Sequence, residues 1–270
     1  MKKLIVRGTW YSMRILITND DGFNADGIKS LKKIALEMSA KENIFIVAPS
    51  ENQSAKSRSI SYKKDFQITK KSNNEFSVDG TPTDCIIFAL EHLMKDKKPD
   101  IVLSGINWGY NLAQDAFYSG TIAAALEAAD RGILSIALSQ AYASEEKEIK
   151  PYIFAESYGA RLCLSIYENF SIANKKTAFN VNFPVKPRMK YPDCIKITPV
   201  GRRHNSNFVI KLNLKSQLLY TALIDSINKN STSISEDDYT SCLDGYVTVS
   251  PITMSILKEA DFEKLKKVNF

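Results

Sequence analysis

The chain has 270 residues, 44% of them hydrophobic and 24% charged, and a formal net charge of +6. These fractions are typical of a folded globular domain and exclude a disordered chain or a coiled-coil rod. With only two histidines, His92 and His204, the chain cannot build a catalytic zinc site from several imidazoles. Any metal would therefore be held mainly by oxygen atoms.

The distribution of charge and the spacing of the cysteines argue against further classes of protein. The lysines form short, scattered clusters without interleaved aromatic residues, which argues against a nucleic-acid partner. No apolar run approaches the roughly 18 residues needed to cross a bilayer, which argues against a membrane protein. The four cysteines include no Cys-x-x-Cys pair, and Cys85 and Cys163 lie in apolar, helix-patterned segments. This predicts buried thiols and a cytoplasmic protein.

The first elements predict a strand, a helix and a second strand. Residues 14–18 are a compact apolar run that suits a buried parallel strand. Asp26 is a candidate N-cap for a helix with one apolar face, and the next apolar run, 44–48, ends at Pro49. Together they predict one β-α-β unit with a right-handed crossover.

The alternation continues along the chain. A helix is expected from Thr81-Pro82, and further elements follow as strand 100–104, helix 121–131 closed by Gly132, strand 133–138, helix 152–167 and strand 178–183. This order predicts an α/β fold with a doubly wound, mostly parallel sheet. Beyond Pro184 the pattern predicts shorter strands at 195–200, 208–214 and 246–249, a polar loop at 229–238 and a helix from Ile256 to Lys267.

Polar residues follow three of these strands. The first strand ends at Asn19-Asp20-Asp21-Gly22, the second at residues 49–54, and the third at residues 104–111. Ligands of open α/β sheets bind at the carboxyl ends of the strands, so the three loops are expected to converge. Two adjacent carboxylates repel each other, and a hard divalent cation relieves that repulsion. The alternative is that Asp20 caps a turn and Asp21 faces water.

Ser119-Gly120-Thr121 opens an alanine-rich helix and could form an anion cradle from hydroxyls, free N–H groups and the helix dipole. The alternative is plain helix capping. A cradle beside a hard-metal site would indicate a phosphate ester as substrate. The sequence has no P-loop, no Gly-x-Gly-x-x-Gly after the first strand and no Gly-x-Ser-x-Gly elbow.

These motifs resemble those of the SurE family, the stationary-phase survival proteins that act as metal-dependent 5'-nucleotidases. The matching stretches are residues 13–22, 47–49 with 53–54, 80–85, 99–100, 104–107, 118–121 with Ala123, Ala124 and Glu127, 180–182 and 245–251. There are two departures. Residues 1–12 precede the usual start of the family and are expected to be a leader, and residues 55–58 stand where many relatives have glycine.

The resemblance implies a Rossmann-like core with a C-terminal strand and helix extension that exchanges between subunits, giving a homodimer or homotetramer. On this basis residues 13–270 form one domain, with the core at about 13–184 and the extension at about 185–270.

The resemblance also implies a site and a reaction. One divalent ion, Mg²⁺ or Mn²⁺, is expected on Asp20, Asp21, Ser54 and Asn107, and the phosphate on Asn111, Ser119, Gly120 and Thr121. Asp20 and Asp21 are the expected catalytic residues, with Asp20 able to act as ligand, proton carrier or nucleophile. The expected reaction is hydrolysis of nucleoside 5'-monophosphates, and possible further substrates are 3'-nucleotides and short polyphosphate. Two alternatives are a non-catalytic nucleotide sensor or scaffold and a haloacid-dehalogenase-type phosphatase, although the latter uses Asp-x-Asp rather than adjacent acids.

Overall fold

The computed structural model describes residues 12–142, 151–170, 176–202, 210–213, 217–220, 236–254 and 266. Most of the expected leader, His204, the greater part of the expected polar loop and, except for Lys266, the expected C-terminal helix lie outside these residues. Among the helices that are described, none is both long enough and apolar enough to cross a membrane.

Strands and helices alternate through most of the described chain. The elements are β1 (Ile15–Thr18), α1 (Asp26–Met38), β2 (Ile44–Pro49), β3 (Ile68–Lys70), β4 (Glu75–Val78), α2 (Pro82–Phe88) continued by a π-helical turn (Ala89–Leu93), β5 (Ile101–Trp108), a 3₁₀ turn (Ala113–Phe117), α3 (Gly120–Asp130), β6 (Leu134–Gln140), α4 (Ile153–Phe170), β7 (Ala178–Phe183), β8 (Ile195–Ile197), β9 (Ile210–Asn213), β10 (Gln217–Tyr220), α5 (Asp238–Leu243) and β11 (Val247–Ile252).

Nine strands form one sheet in the order β3-β4-β2-β1-β5-β6-β7-β11-β8, and β9 pairs with β10 separately. The strands from β4 to β7 are parallel to their neighbours, whereas β3 and β11 run antiparallel to β4 and β7. This confirms the predicted doubly wound, mostly parallel sheet. From β1 the chain builds outward to β2 and β4, then returns to build β5, β6 and β7 on the other side. The switch point, where ligands of such sheets bind, is therefore between β1 and β5.

Helices cover both faces of the sheet, which explains why its strands read as continuous apolar runs. Ile15 and Ile17 of β1 pack on the side of α1 and α4. Leu16, between them, packs on the opposite side with residues of α2 and α3. The predicted burial of Cys85 and Cys163 is confirmed, and the four cysteines are free thiols.

The start of α1 differs from its prediction. Ala25, without a side-chain cap, occupies the N-cap position, and Asp26 is the first helical residue, where its carboxylate accepts a hydrogen bond from Lys29 at 2.8 Å. The N-cap assignment of Asp26 is therefore wrong, although an acid in the first turn still suits the helix dipole. Gly27 lies against the main-chain carbonyl of Ile106, where a Cβ atom would collide with it.

Other boundaries differ for local reasons. β5 continues to Trp108 instead of ending at Ser104, because its register with β6 shifts between Ser104 and Asn107 and pairing then resumes. The expected loop at 229–238 ends in a helix, since Asp238 begins α5. The hairpin of β3 and β4 had no predicted counterpart, as β3 is short and largely exposed.

Candidate functional site

Two carboxylates lie at the end of β1, at the switch point of the sheet. Asp20 is buried, with 3% of its surface exposed, and Asp21 is half-buried. Asp20 Oδ1 accepts a hydrogen bond from the Thr121 hydroxyl, and Asp21 Oδ2 accepts one from the Trp108 main-chain N–H at 3.2 Å. Within the described chain, no lysine or arginine forms an ion pair with either acid.

Among the described residues, no positively charged side chain balances the charges of Asp20 and Asp21. Burial raises the pKa of Asp20 to about 6; the hydrogen bond from the Thr121 side chain opposes this rise, and the neighbouring charge of Asp21 adds to it. Burial also raises the pKa of Asp21, which the hydrogen bond from Trp108 opposes. A bound cation would remove the energetic cost of keeping both groups ionised.

Asn107 reaches the same place from β5. Gly105, at φ 132°, lies in the register shift between β5 and β6, and pairing with β6 resumes at Asn107. The Asn107 carboxamide oxygen lies 3.4 Å from the Thr121 hydroxyl, and its amide donates to the Gly109 carbonyl at 3.2 Å. Since a hydroxyl has one hydrogen, Thr121 donates it to the closer Asp20, and the Asn107 oxygen remains available to another partner.

The N-terminus of α3 packs directly on Asp20. A Cβ atom on Gly120 would lie 2.7 Å from the Asp20 Cβ and 3.1 Å from the Pro82 Cγ, so this close approach requires glycine. The Ser119 hydroxyl caps the helix, accepting from the Ile122 N–H at 3.1 Å. Both hydroxyls of the expected anion cradle therefore already have partners within the protein, and the helix terminus itself is what faces the carboxylates.

The segment that carries Ser54 is hydrogen-bonded to the main chain just after β1. The Gln53 N–H donates to the main-chain carbonyl of Asp20 at 2.7 Å, and the exposed Ser54 follows directly. Ala55 and Ser57 have φ values of 59° and 52°, in the left-handed region that favours glycine. Glycine could adopt this backbone conformation at either position without strain. That relatives have glycine here stays a prediction.

The loop of residues 50–61, which we call the Ser54 loop, is hydrogen-bonded to α3 and to the turn that precedes it. Ser57 donates from its N–H to the Tyr118 carbonyl at 3.0 Å and from its hydroxyl to the Phe117 carbonyl at 2.7 Å. Arg58 donates two hydrogen bonds to Glu127 Oε2, at 2.8 Å from Nε and 2.5 Å from Nη2. The sequence does not predict this pair, since its members are 69 positions apart and no local pattern links them.

Asn111, expected to contact phosphate, is a buried junction between strands. Its N–H donates to Asn182 Oδ1 at 2.8 Å, and its carbonyl accepts from the amides of Asn180 at 2.8 Å and Asn182 at 3.2 Å. Its own side-chain amide donates to the Ser139 hydroxyl at 2.8 Å. These bonds join the segment after β5 to β6 and β7, so phosphate contact by Asn111 stays a prediction.

The structure thus brings Asp20, Asn107 and Thr121 into contact, with Asp21 adjacent. The family model described as Survival protein SurE matches residues 15–207. The chain is 36% identical to the 5'-nucleotidase SurE of Ehrlichia ruminantium (strain Gardel), covering 95% of this chain and 99% of that protein. It is 38% identical to the 5'-nucleotidase SurE of Campylobacter jejuni subsp. jejuni serotype O:6, covering 94% and 95%.

The fold has a solved counterpart. The crystal structure of the SurE protein from Aquifex aeolicus superimposes with a TM-score of 0.78 at 28% identity, covering 94% of this chain and 98% of that one. The order of the motifs, the fold and the extent of these matches agree. The chain belongs to the SurE family.

Proposed function

We propose that the protein is a metal-dependent phosphatase that hydrolyses nucleoside 5'-monophosphates to nucleoside and phosphate. The observation that carries the proposal is the pair of carboxylates at the switch point, Asp20 buried and Asp21 half-buried. They have no lysine or arginine partner among the described residues, and Asp20 lies against the N-terminus of α3. Relatives that match nearly the whole chain are named 5'-nucleotidase SurE. The comparisons favour neither a non-catalytic sensor nor a haloacid-dehalogenase-type phosphatase.

The donor set fits one hard divalent cation. Asp20 and Asp21 supply carboxylate oxygens, Asn107 a carboxamide oxygen and Ser54 a hydroxyl, which are the ligand types that Mg²⁺ and Mn²⁺ prefer. An ion on these residues would supply positive charge that polarises a phosphoryl group and activates water.

The chain's own groups would orient the substrate. The Thr121 hydroxyl fixes the direction of the Asp20 carboxylate by donating to its Oδ1. The N-terminal end of α3 would attract the phosphoryl oxygens, since its partial positive charge faces the same space. Hydrolysis of 3'-nucleotides and short polyphosphate would use the same groups.

The proposal includes an assembly and a location. The edge strand β8 presents Ile197 with 74% of its surface exposed, which supports a homodimer or homotetramer formed through the C-terminal extension. Light scattering measures that state. The four free thiols support a cytoplasmic location.

Phosphate release from AMP tests the activity. Turnover is expected with added Mn²⁺ or Mg²⁺ and is expected to stop when a chelator removes the ion. AMP binding without phosphate release under any divalent ion would instead indicate a sensor, and a trapped phosphoenzyme would indicate the dehalogenase-type reaction. A panel of 5'- and 3'-nucleotides and short polyphosphate, each titrated with both metals, ranks the substrates.

A further inference from the structure

Two exposed aromatic rings lie beside the site. Trp108, at the end of β5, has 46% of its surface exposed, and Tyr142, just after β6, has 50%. Their ring centroids are 4.3 Å apart with an interplanar angle of 34°. We call this pair the aromatic platform.

The platform is held from within the protein. The buried Tyr152 meets the Trp108 ring nearly edge-on, with centroids 5.7 Å apart and an angle of 71°. The strand ends below it are tied together, since the Gly109 N–H donates to the Gln140 carbonyl at 2.9 Å and Gln140 Oε1 accepts from the Ala155 N–H at 2.9 Å. A half-exposed indole fixed in this way loses little conformational entropy when a ligand covers it.

The platform is continuous with the carboxylate site. Trp108 directly follows Asn107, and its main-chain N–H is the group that binds Asp21 Oδ2 at 3.2 Å. Gly109, the next residue, has a φ of 105°, and a Cβ atom there would meet no atom within 4 Å. There is therefore open space on the side of Gly109 to which a side chain would project, two residues beyond Asn107.

The chemistry of the platform selects a flat, apolar ligand. In the described chain, no lysine or arginine lies over the Trp108 ring, whereas such contacts occur at Phe45, Tyr62, Tyr191 and Tyr246. Recognition there would rest on stacking and loss of apolar surface rather than on charge. A nucleobase has such a face, and in a nucleoside monophosphate it is attached through one sugar to the phosphate.

We infer that Trp108 and Tyr142 form a nucleobase-stacking subsite, which makes the site prefer nucleotides over plain sugar phosphates. This rests on the proposed function, because it assumes that a phosphoryl group occupies the space beside Asp20 and Asp21. Trp108 acts on specificity and has no role in the reacting bonds.

The test compares two substrates that share the phosphate and the sugar. In Trp108→Ala, the ratio of the KM for AMP to the KM for ribose 5-phosphate is expected to rise about tenfold, within the range measured for base stacking on aromatic side chains. Trp108→Phe keeps a ring and should restore most of the ratio. The control is Phe170→Ala, which removes another half-exposed ring packed on an aromatic neighbour, Phe179. Phe179 is the second residue of β7, at the amino end of the strand and away from the carboxyl ends where the site lies, so this change should leave the ratio unchanged.

Binding without turnover gives a second readout. The chain has two tryptophans, Trp10 and Trp108, so Trp10→Phe leaves Trp108 as the only indole reporter. AMP should quench its fluorescence, and inorganic phosphate at equal occupancy should not. This fluorescence measurement tests the subsite even if the wild type hydrolyses neither substrate. That lack of hydrolysis would refute the proposed function, but not the stacking subsite.

Three results would overturn the inference. One is an equal rise in both KM values in Trp108→Ala, and another is equal quenching by AMP and phosphate. The third is an unchanged KM ratio with a lower mass in light scattering for Trp108→Ala, which would assign the platform to a contact between copies of the chain.

Discussion

Asp20 governs how the site responds to pH, because a metal ligand must give up its proton. Burial raises the pKa of Asp20 to about 6, so below that pH the metal-free protein holds the proton. Mn²⁺ affinity should therefore be nearly constant above pH 7 and fall by up to about tenfold per unit below pH 6. Calorimetry in buffers of different ionisation enthalpy should detect proton release at pH 5 and little at pH 7.5. An affinity that is flat from pH 5 to pH 7 would contradict this assignment.

At the residue scale, the sequence predicts which side chains lie close together, but it does not predict which hydrogen bonds they make. Asp20, Asp21 and Asn107 could be placed together because they follow the apolar runs of β1 and β5, two strands whose carboxyl ends share one edge of the sheet. The sequence could not predict the direction of the Thr121 hydroxyl or the hydrogen bonds of Asn111. Both depend on partners far away in sequence, Asp20 for Thr121 and Asn182 for Asn111.

At the scale of elements, the pair of Arg58 and Glu127 fastens the Ser54 loop to α3. Removing it should loosen the loop and weaken metal binding, because the backbone that carries Ser54 is no longer held. For Arg58→Gln we expect the Kd for Mn²⁺ to rise about tenfold, as for other groups that orient a metal ligand. Hydrogen exchange in residues 51–61 should also become faster.

Arg131→Gln is the matched control for this prediction. Arg131 Nε donates to the other oxygen of the same carboxylate, Glu127 Oε1, at 2.8 Å, but reaches no residue of the Ser54 loop in the described contacts. Arg131→Gln should leave both the Kd for Mn²⁺ and the rate of hydrogen exchange in the Ser54 loop close to their wild-type values. Equal effects of the two substitutions would show that Glu127 stabilises α3 without positioning the loop.

Elements buried on both faces could be predicted from their apolar runs, and β1, β2 and β7 confirm this. The end of β5 could not be predicted in this way, because a register shift at Gly105 leaves no mark on the pattern of apolar residues. That shift matters for function, since it puts Asn107 within the strand, beside Thr121, and Trp108 next to Asp21.

At the scale of the whole molecule, the topology of the sheet explains why the site lies where it does. The chain builds outward from β1 in one direction and from β5 in the other, which leaves a crevice between the ends of these two strands. The C-terminal strands β11 and β8 extend the same sheet beyond β7. The exchange of this extension between subunits stays a prediction.

The most direct test of the central claim compares Asp20→Asn with Asp26→Asn at saturating Mn²⁺. Asp20→Asn should lower the kcat for AMP at least about a hundredfold, because it removes one of the two negative charges that would hold the ion. Thermal unfolding should still show a folded protein. Asp26→Asn changes an exposed acid paired with Lys29 and should keep wild-type turnover. Wild-type turnover by Asp20→Asn with metal present would contradict the proposed site.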